Sequence, residues 1–371
     1  MRPAATVPST ARREDNNDER VATMSPRGPR APSVGSQGAT LSDVAQAAGV
    51  SMATASRAIN GSPDRVVGEE LRRRVLEAAA RLDYSPDANA QAMARGRTAT
   101  VGLIVHDIAD PYFSAIATGV AAAADDEHLA VTLANTQHDP QRELAFVRTL
   151  QEQRARAIIL AGGRQDDERA NAALRAALET YRSHGGTVAL IGQPVLGVST
   201  VQADNTGGAA ALASELLRLG YRRYGILAGP KAHLTARERL DGFAGVLESA
   251  GVTPEAVVNS AFTRDGGYAA LAELRRRAPD VEVVWAVNDV MALGAMTSAR
   301  DAGLSVPGDL AFAGFDDIAT LRDVAPPLTT VHLPLAEMGR LATPLALDVD
   351  GGVRQLSVTG EVVLRDSTPR M

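Results

Sequence analysis

Two groups of polar side chains in this sequence have types and spacings that suit binding chemistry. The first is a run from Ser51 to Arg57, in which small hydroxyl side chains precede an arginine. A guanidinium group donates paired hydrogen bonds that match the acceptors on the major-groove edge of guanine. Arg57 is therefore the strongest candidate for reading a base, while Ser51 and Thr54 suit phosphate contacts or helix capping.

The second group combines carboxylate, amide, guanidinium and aromatic side chains, most of them close to predicted strand ends. Carboxylates and amides pair with neighbouring hydroxyls, arginine donates a fork, and aromatic rings cover an apolar ring face. Such a set suits a polyol. The candidate contacts are Asp110, Tyr112, Phe113, Arg239, Phe262, Asn288 and Asp316, with Asp204 and His332 as weaker candidates.

Each candidate also has a purely structural alternative. Asn288 could cap a helix, Asp316 could end a strand in a turn, and Arg239 could be a solvated helix arginine. Phe113 and Phe262 are of a residue type found more often in cores than on ligand platforms. His332 could equally be a buried histidine whose hydrogen bonds are satisfied within the protein.

The sequence offers no arrangement of residues for catalysis. Its six histidines are scattered, without HxH or HExxH spacing, and it contains no G-x-S-x-G elbow and no glycine-rich phosphate loop. The absence of cysteine excludes disulfides, thiolate metal sites and cysteine nucleophiles. We therefore expect a binding protein and not an enzyme, with no metal and no cofactor.

Composition and charge are those of a globular protein. The chain has 371 residues, 45% of them hydrophobic and 22% charged, which suggests about two to three domains. No apolar run approaches the roughly 20 residues of a membrane helix, and the N-terminus lacks the apolar core of a secretory signal. We expect a cytoplasmic protein with no membrane partner.

Charge is unevenly distributed along the chain. The first 100 residues carry a net charge of +3 and the remainder −9. A less acidic N-terminal part can approach an anionic polymer while the body keeps the protein in solution, although chance variation in surface charge gives the same pattern.

The N-terminal part predicts a small helical module. Residues 1–39 lack periodicity and predict a disordered extension. Residues 40–85 predict three short helices, 41–48, 52–59 and 69–82, with a capping box between Thr40 and Asp43 and with Gly49 ending the first helix. The predicted inward positions are Leu41, Val44, Ala45, Ala48, Ala55, Ile59, Leu71, Val75, Leu76, Ala79 and Leu82. The first two helices form a helix-turn-helix, which favours DNA binding over an ordinary three-helix bundle.

Beyond the head, a linker leads to a larger region of alternating strands and helices. Residues 86–97 have helical propensity but no broad apolar face, so we expect coil unless a partner orders them. Residues 98–371 alternate buried-type strands with helices, which predicts an α/β domain of parallel sheets with helices on both faces. Its length predicts two lobes, with a crossing near Ala325-Pro326-Pro327.

The run TLSDVAQAAGVSMATASRAIN, residues 40–60, resembles the DNA-binding head of the LacI/GalR family of bacterial transcriptional repressors. The family pattern is T-x-x-D-V-A-x-x-A-G-V-S-x-x-T-V-S-R-x-x-N, and Ala55 stands here in place of its usual valine. Residues 82–86, Leu-Asp-Tyr-Ser-Pro, match the head-to-hinge junction, and the resemblance covers roughly residues 40–371. The candidate DNA contacts are Thr40, Ser51, Met52, Ala53, Thr54, Ser56, Arg57, Asn60, Tyr84, Ala90 and Met93.

The resemblance implies a hinge that folds only on operator DNA, paired with its twin in the minor groove. The family inserts a leucine between base pairs there, and Met93 stands at that position in this chain. A methionine can act as an apolar wedge. The alternative is a packing residue of an ordinary linker.

For residues 98–371 the resemblance implies the two-lobed fold of periplasmic sugar-binding proteins, with an effector between the lobes. Many sugar-binding relatives carry an acidic-basic pair after the strand that ends at Ile191, where this chain has Gly192-Gln193. A purine-responsive relative places contacts at the positions of His233 and Thr235, but it has arginine where this chain has His233. This difference argues mildly against a purine.

The sequence thus predicts a regulator of transcription. Its partners would be double-stranded operator DNA and a small effector, a sugar or polyol by its binding residues. We expect a homodimer, because no leucine heptads follow residue 364 to build a tetramer. Repression is favoured, and an activator of the same fold stays open. The alternative from another class is a solute-binding protein of a transport system, which would need export.

Overall fold

The computed structural model describes residues 39–60, 67–85 and 96–371. The chain divides after Pro86 into two units, a helical head and an α/β body. The predicted extension lies outside the described residues except for its last residue, and so does most of the predicted hinge, including Ala90 and Met93.

The head contains three helices, α1 (Leu41–Ala48), α2 (Met52–Asn60) and α3 (Glu69–Arg81). The predicted capping box is confirmed: Thr40 Oγ1 accepts from the Asp43 amide at 3.3 Å, and the Asp43 carboxylate accepts from the Thr40 amide at 2.8 Å. Gly49 ends α1 at φ +64°, a left-handed conformation that glycine adopts at little cost.

The core of the head is small and aliphatic. Its buried side chains are Val44, Ala45, Ala48, Ala55, Ala58, Val75, Ala78 and Ala79. Arg74 Nη2 also donates to the Ala48 carbonyl oxygen at 2.5 Å, which ties α3 to the end of α1. The expectation that Leu71 and Leu76 point inward is wrong, since they are 37% and 44% exposed. Leu76 lies one position from Val75, about 100° around the helix and off the buried stripe.

The body consists of two lobes. The first, the N-lobe, has a sheet of six parallel strands: β1 (Thr100–Val105), β2 (Ala130–Asn135), β3 (Ala157–Ala161), β4 (Thr187–Ile191), β5 (Ser199–Ala203) and β11 (Gln355–Val358). Their order across the sheet is β11-β5-β4-β3-β1-β2. Its helices are α4 (Pro111–Asp126), α5 (Pro140–Glu152), α6 (Glu168–Ser183) and α11 (Leu335–Leu347).

The second lobe, the C-lobe, has a parallel sheet of four strands: β6 (Tyr224–Ala228), β7 (Ala256–Asn259), β8 (Val283–Ala286) and β9 (Ala311–Ala313). Their order across the sheet is β7-β6-β8-β9. Its helices are α7 (Asn205–Leu219), α8 (Leu234–Ser249), α9 (Arg264–Arg277) and α10 (Asp289–Asp301), with a short 3-10 helix over Ala319–Asp323. Strands β10 (Thr330–His332) and β12 (Glu361–Val363) pair antiparallel. The predicted α/β architecture is confirmed.

The return from the C-lobe to the N-lobe comes later than the sequence indicated. Thr329 still bridges Ala313 at the edge of the C-lobe sheet, and β10 follows it. The next element, α11, packs against α4 and β4 of the N-lobe. The chain therefore crosses between His332 and Leu335, and the predicted crossing at Ala325–Pro327 is wrong by a few residues.

Within the described ranges, no helix has both the length and the apolar character required to span a membrane.

Candidate functional site

Helix α2 of the head presents the predicted base-reading side chains. Ser51 Oγ accepts from the Thr54 amide at 3.2 Å and so caps the helix. Met52 is 59% exposed and Ala53 is also exposed, so the first turn is open to solvent. Arg57 is half-buried, and its Nε donates to the Ala53 carbonyl oxygen at 3.0 Å. The guanidinium therefore lies along the exposed first turn of α2.

The other described candidates for DNA contact lie around α2. Ser56 is half-buried and accepts from Asn60 Nδ2 at 3.3 Å, one turn along the helix. Thr40 caps α1. Tyr84 packs against the core of the head.

The body contains a pocket lined by residues from both lobes, which we call the effector pocket. All seven stronger candidates line it, together with five residues that were not among the candidates, His106, His138, Gly163, His233 and Thr235. Most of these residues follow the carboxyl ends of parallel strands, which is the usual location of ligand sites in such sheets. Its free volume of about 30 Å³ has room for about two water molecules.

Arg239 is the most constrained side chain of the pocket. Its Nη2 donates to Asp316 Oδ1 at 2.7 Å, Nε donates to Asn205 Oδ1 at 2.9 Å, and Nη1 donates to the Val287 carbonyl oxygen at 2.8 Å. The guanidinium also lies 3.9 Å from the centre of the Phe315 ring. Arg239 is therefore a buried, fully positioned arginine and not a solvated one.

Two pocket residues also cap helices. Asp110 Oδ1 accepts from the Tyr112 amide at 2.9 Å, and Asn288 Oδ1 accepts from the Met291 amide at 3.0 Å. The capping alternative thus holds for Asn288, yet its side chain also borders the pocket. Burial raises the pKa of Asp110 to about 6. Burial likewise raises the pKa of Asp316 to about 6, although Arg239 opposes the shift.

The two weaker candidates lie outside the effector pocket. Asp204 Oδ1 accepts from the Gly207 amide at 2.9 Å, so this residue caps α7. The His332 side chain is 47% exposed, and its Nδ1 lies 3.1 Å from Asp317 Oδ2. The alternative of a buried histidine is therefore wrong for His332, and its ligand role has no support from its position outside the pocket. The adjacent carboxylates diverge, because Asp317 pairs with Arg365 while Asp316 faces the pocket.

The pocket also contains three histidines that were not among the candidate contacts: His106 and His138 were not considered from the sequence, and His233 was considered only as a position of purine contacts in a relative. Burial lowers the pKa of His106 well below its usual value and that of His233 to about 4, and it also lowers the pKa of His138. The rings of His106 and His138 are 4.9 Å apart, and His233 stacks on Phe262 at 4.8 Å. His106 follows β1 directly and His138 comes shortly after β2, so the strand-end rule could have found them. Within the described ranges, no group of metal-binding side chains is placed to hold a metal ion.

Gln193 stands where the sequence departs from sugar-binding relatives, and it connects the two lobes. Its Oε1 accepts from the Arg164 amide at 2.8 Å, while its Nε2 donates to Thr235 Oγ1 at 2.9 Å and to Glu238 Oε2 at 3.0 Å. Glu238 Oε2 also accepts from Asn205 Nδ2 at 2.8 Å. A continuous set of hydrogen bonds therefore runs from the N-lobe through Asn205 to Arg239 in the pocket.

Comparison with known proteins identifies the class of molecule. The family described as "Bacterial regulatory proteins, lacI family" matches residues 40–87, and a "Periplasmic binding protein-like domain" matches residues 213–368. The transcriptional regulator GalS of Salmonella typhimurium is 34% identical over 86% of this chain and 92% of its own length. The repressor CytR of Escherichia coli is 34% identical over 89% and 96%.

Solved structures agree with these sequence matches. A Lac repressor dimer bound to operator and the anti-inducer ONPF is 25% identical, with a TM-score of 0.78 over 90% of this chain and all of that one. The regulator CelR in complex with cellobiose is 30% identical, with a TM-score of 0.65 over 89% of this chain and 99% of that one. This chain belongs to the LacI family of bacterial regulatory proteins.

Proposed function

We propose that this regulator represses transcription by binding an operator through its head, and that a small polyol effector in the pocket switches this binding. The observation that carries the proposal is the convergence of seven predicted polyol contacts from two lobes on one pocket behind a LacI-type head. The relatives GalS and CytR are regulators of transcription, and CelR binds cellobiose.

In this proposal α2 enters the major groove. Arg57 reads a base edge, the exposed first turn from Ser51 to Thr54 contacts phosphates and bases, and Thr40, Ser56, Asn60 and Tyr84 support the backbone contacts. Ala90 and Met93 belong to the proposed hinge contacts, with Met93 as the minor-groove wedge. A homodimer places two such helices on a pseudo-palindromic operator. The similar Lac repressor is a dimer in its solved complex with operator.

Effector binding would change the relation of the two lobes. The pocket has a free volume of only about 30 Å³, whereas ligand pockets commonly have several hundred Å³. We infer that the pocket widens to admit an effector, and the hydrogen bonds of Gln193 join the N-lobe to Thr235, which lines the pocket, and to Glu238. Operator affinity and effector affinity are then coupled reciprocally, with typical couplings of about 1–3 kcal/mol.

The alternative, a solute-binding protein of a transport system, is not favoured, because the chain matches the LacI head and its relatives are regulators. A regulator that binds bacterial DNA works in the cytoplasm, as the sequence predicted. Nothing in the proposed role requires catalysis: the effector is bound and released unchanged.

The direct test is a gel-shift assay of the full chain with the DNA upstream of its own gene, with random competitor DNA as the control. We expect a sequence-specific complex, and a panel of sugars and polyols should contain a compound that changes its affinity. The repressor proposal is wrong if no DNA is bound with sequence preference in the presence or absence of the panel. Reporter output in a deletion strain separates repression from activation.

A further inference from the structure

The effector pocket has two chemically different ends. The acid-rich end is built around the Arg239–Asp316 pair. The other end, which we call the imidazole end, consists of His106, His138 and His233. It is supplied by both lobes, because two of these histidines follow N-lobe strands and His233 immediately precedes α8 of the C-lobe.

Two of the three imidazoles at this end carry a buried ring nitrogen that lacks a hydrogen-bond partner. In the part of the chain that the structure describes, four buried side-chain atoms have no hydrogen-bond partner, namely His106 Nδ1, Thr136 Oγ1, Arg164 Nε and His233 Nδ1. His106 and His233 line the pocket and are 8% and 6% exposed. Arg164 lies close enough for its charge to lower the pKa of both, after the larger effect of burial. Thr136 and Arg164 do not line the pocket. Buried polar atoms in native proteins are nearly always paired, so the two unpaired imidazole nitrogens of the pocket wall indicate a place for a bound group.

The donors in and near this end favour an acceptor. Arg164 does not line the pocket, but its charge acts on two of the imidazoles. Its Nε can only donate, and its two Nη atoms are already bound to the Glu143 carboxylate at 2.7 and 2.8 Å. Each neutral imidazole offers one N–H donor, and a protonated one offers two. A group rich in acceptor oxygens would therefore satisfy more of these atoms than a single hydroxyl.

The charges that face the imidazoles decide the sign of the preferred group. Apart from burial, the permanent charges that lower these pKa values are those of two arginines: Arg164 acts on His106 and His233, and Arg239 also acts on His233. Both arginines disfavour a further positive charge on these rings. Asp107 acts in the opposite direction on His138. The carboxylates of Asp110 and Asp316 lie at the other end of the pocket, and that of Glu143 pairs with Arg164. An anion bound among the histidines would counteract the positive potential of the arginines and stabilise a protonated imidazole.

We propose that the imidazole end binds an anionic group, so that the effector of this regulator is an acidic polyol, either a sugar acid or a sugar phosphate. This inference rests on the proposed function, because it takes the pocket to be the effector site. The two ends fix the orientation of the molecule. Asp110 and Asp316 accept hydrogen bonds from hydroxyls and repel an anion, whereas the histidines donate to it.

Proton uptake is the specific consequence of this arrangement. In the free protein the pKa of His233 is about 4 and that of His106 is well below its usual value, so both are neutral at pH 7. An anion raises these pKa values, and binding at pH 7 takes up protons. Affinity for the anion should then fall as pH rises, by up to about tenfold per pH unit for one linked proton.

The test uses the full chain and matched sets of compounds in titration calorimetry at pH 6, 7 and 8. The sets are glucose with gluconate and glucose 6-phosphate, galactose with galacturonate and galactose 6-phosphate, and ribose with ribonate and ribose 5-phosphate. We expect an anionic member to bind at least about tenfold more tightly than its neutral partner, with proton uptake measured in buffers of different ionisation enthalpy. Comparison of the sugar acid with the sugar phosphate in each set shows whether the site binds a carboxylate or a phosphate. Any of three results overturns the proposal. A neutral sugar binds as tightly as its anionic partners, an anionic member binds without proton uptake, or no anionic member binds.

Substitutions then locate the effect. His106→Asn and His233→Asn keep a polar side chain that cannot gain a proton, and each should reduce the proton uptake and the preference for the anion. His128→Asn, at an exposed residue with φ +56°, is the matched control and should change neither. If proton uptake and the preference for the anionic compound persist in both pocket variants, the anion binds elsewhere and the assignment is refuted. Operator binding is measured in parallel, because it tests the proposed function independently of the charge of the effector. Specific DNA binding that is switched by a neutral sugar would support the proposed function and refute this inference.

Discussion

Arg239 Nη2 lies 2.7 Å from Asp316 Oδ1, and the two side chains are only 2% and 5% exposed. The pair belongs to the wall of the effector pocket, so it is both an internal ion pair and a candidate ligand contact. Three of the five guanidinium donors of Arg239 are occupied by protein acceptors. An effector can therefore use the remaining donors while the arginine stays in place.

Removal of the carboxylate should separate effector binding from DNA binding. Asp316→Ala leaves the Arg239 charge buried without its partner, and we expect a loss of about 3–5 kcal/mol in the free energy of unfolding. The variant should lose its response to effector while it still binds operator, because the head is a separate compact unit of the chain. Urea unfolding followed by fluorescence of Trp285, the one tryptophan of the chain, measures the first effect.

The control for this prediction is Asp316→Asn, which keeps an acceptor for Arg239 and should cost less stability. A normal effector response in Asp316→Ala would remove Asp316 from the effector site. A cost within 1 kcal/mol would show that Arg239 finds another partner or water.

Loss of the Gln193 side chain should lower the free energy of unfolding more than loss of an exposed ion pair that joins the same two lobes. Gln193→Ala leaves the Arg164 amide and Thr235 with fewer partners in a buried place, at a cost of about 1–3 kcal/mol. Arg237→Ala removes the pair to Asp166, whose side chains are 49% and 64% exposed, and should cost about 0–1 kcal/mol.

The measurement is a comparison of unfolding free energies together with small-angle X-ray scattering of the free chain. Gln193→Ala should increase the radius of gyration as the lobes separate more often, and Arg237→Ala should not. Equal effects of the two substitutions would mean that Gln193 does not hold the lobes together.

Asp110→Asn should stabilise the protein in a pH-dependent way. The pKa of Asp110 is raised from 3.8 to about 6 by burial, so folding favours its protonated form. This contribution is fully present below pH 4 and is lost as pH rises through 6. Asparagine keeps the cap on the Tyr112 amide but has no charge to bury, so the variant should gain up to about 3 kcal/mol over the parent above pH 6.

Scanning calorimetry from pH 4 to pH 8 checks this expectation, with Asp125→Asn on the exposed surface as the control for losing one negative charge. The difference between Asp110→Asn and the parent should grow between pH 4 and pH 6 and then level off. A difference that is constant over this range would show that the Asp110 carboxyl keeps its hydration in the folded state.

The elements that the sequence predicted well are those with strong local signals. The capping box at Thr40, the left-handed Gly49 and the continuous apolar strands β1, β3 and β4 follow from local chemistry and burial. Strands β5 and β11 lack such a signal, because polar residues such as Gln202 and Ser357 interrupt their apolar character. Their pairing depends on distant parts of the chain, which no local window contains.

The pocket was predicted by the rule of strand ends, and its errors follow from the limits of that rule. Asp204 also follows a strand, but it caps α7 and does not border the pocket. His332 lies on a strand that pairs Asp316, yet its side chain meets Asp317. Sequence position gives the edge of the sheet, whereas the direction of each side chain depends on the backbone of the folded site. Asp316, at φ +116°, has a conformation that no sequence pattern indicated.

The role proposed for Arg57 gives a prediction that depends on neither the pocket nor the effector. Arg57 lies along the exposed first turn of α2, with its Nε bound to the Ala53 carbonyl oxygen at 3.0 Å. The Nη groups can then project to a base edge. Arg57→Ala should weaken operator binding by about 1–3 kcal/mol and should relax discrimination at one base pair of each half-site.

The control is Arg72→Ala, on the exposed surface of α3, which should lower operator affinity equally for all sequences or leave it unchanged. Gel shifts with all single-base variants of the selected operator measure both quantities, and unaltered discrimination in Arg57→Ala would show that the base is read by another side chain.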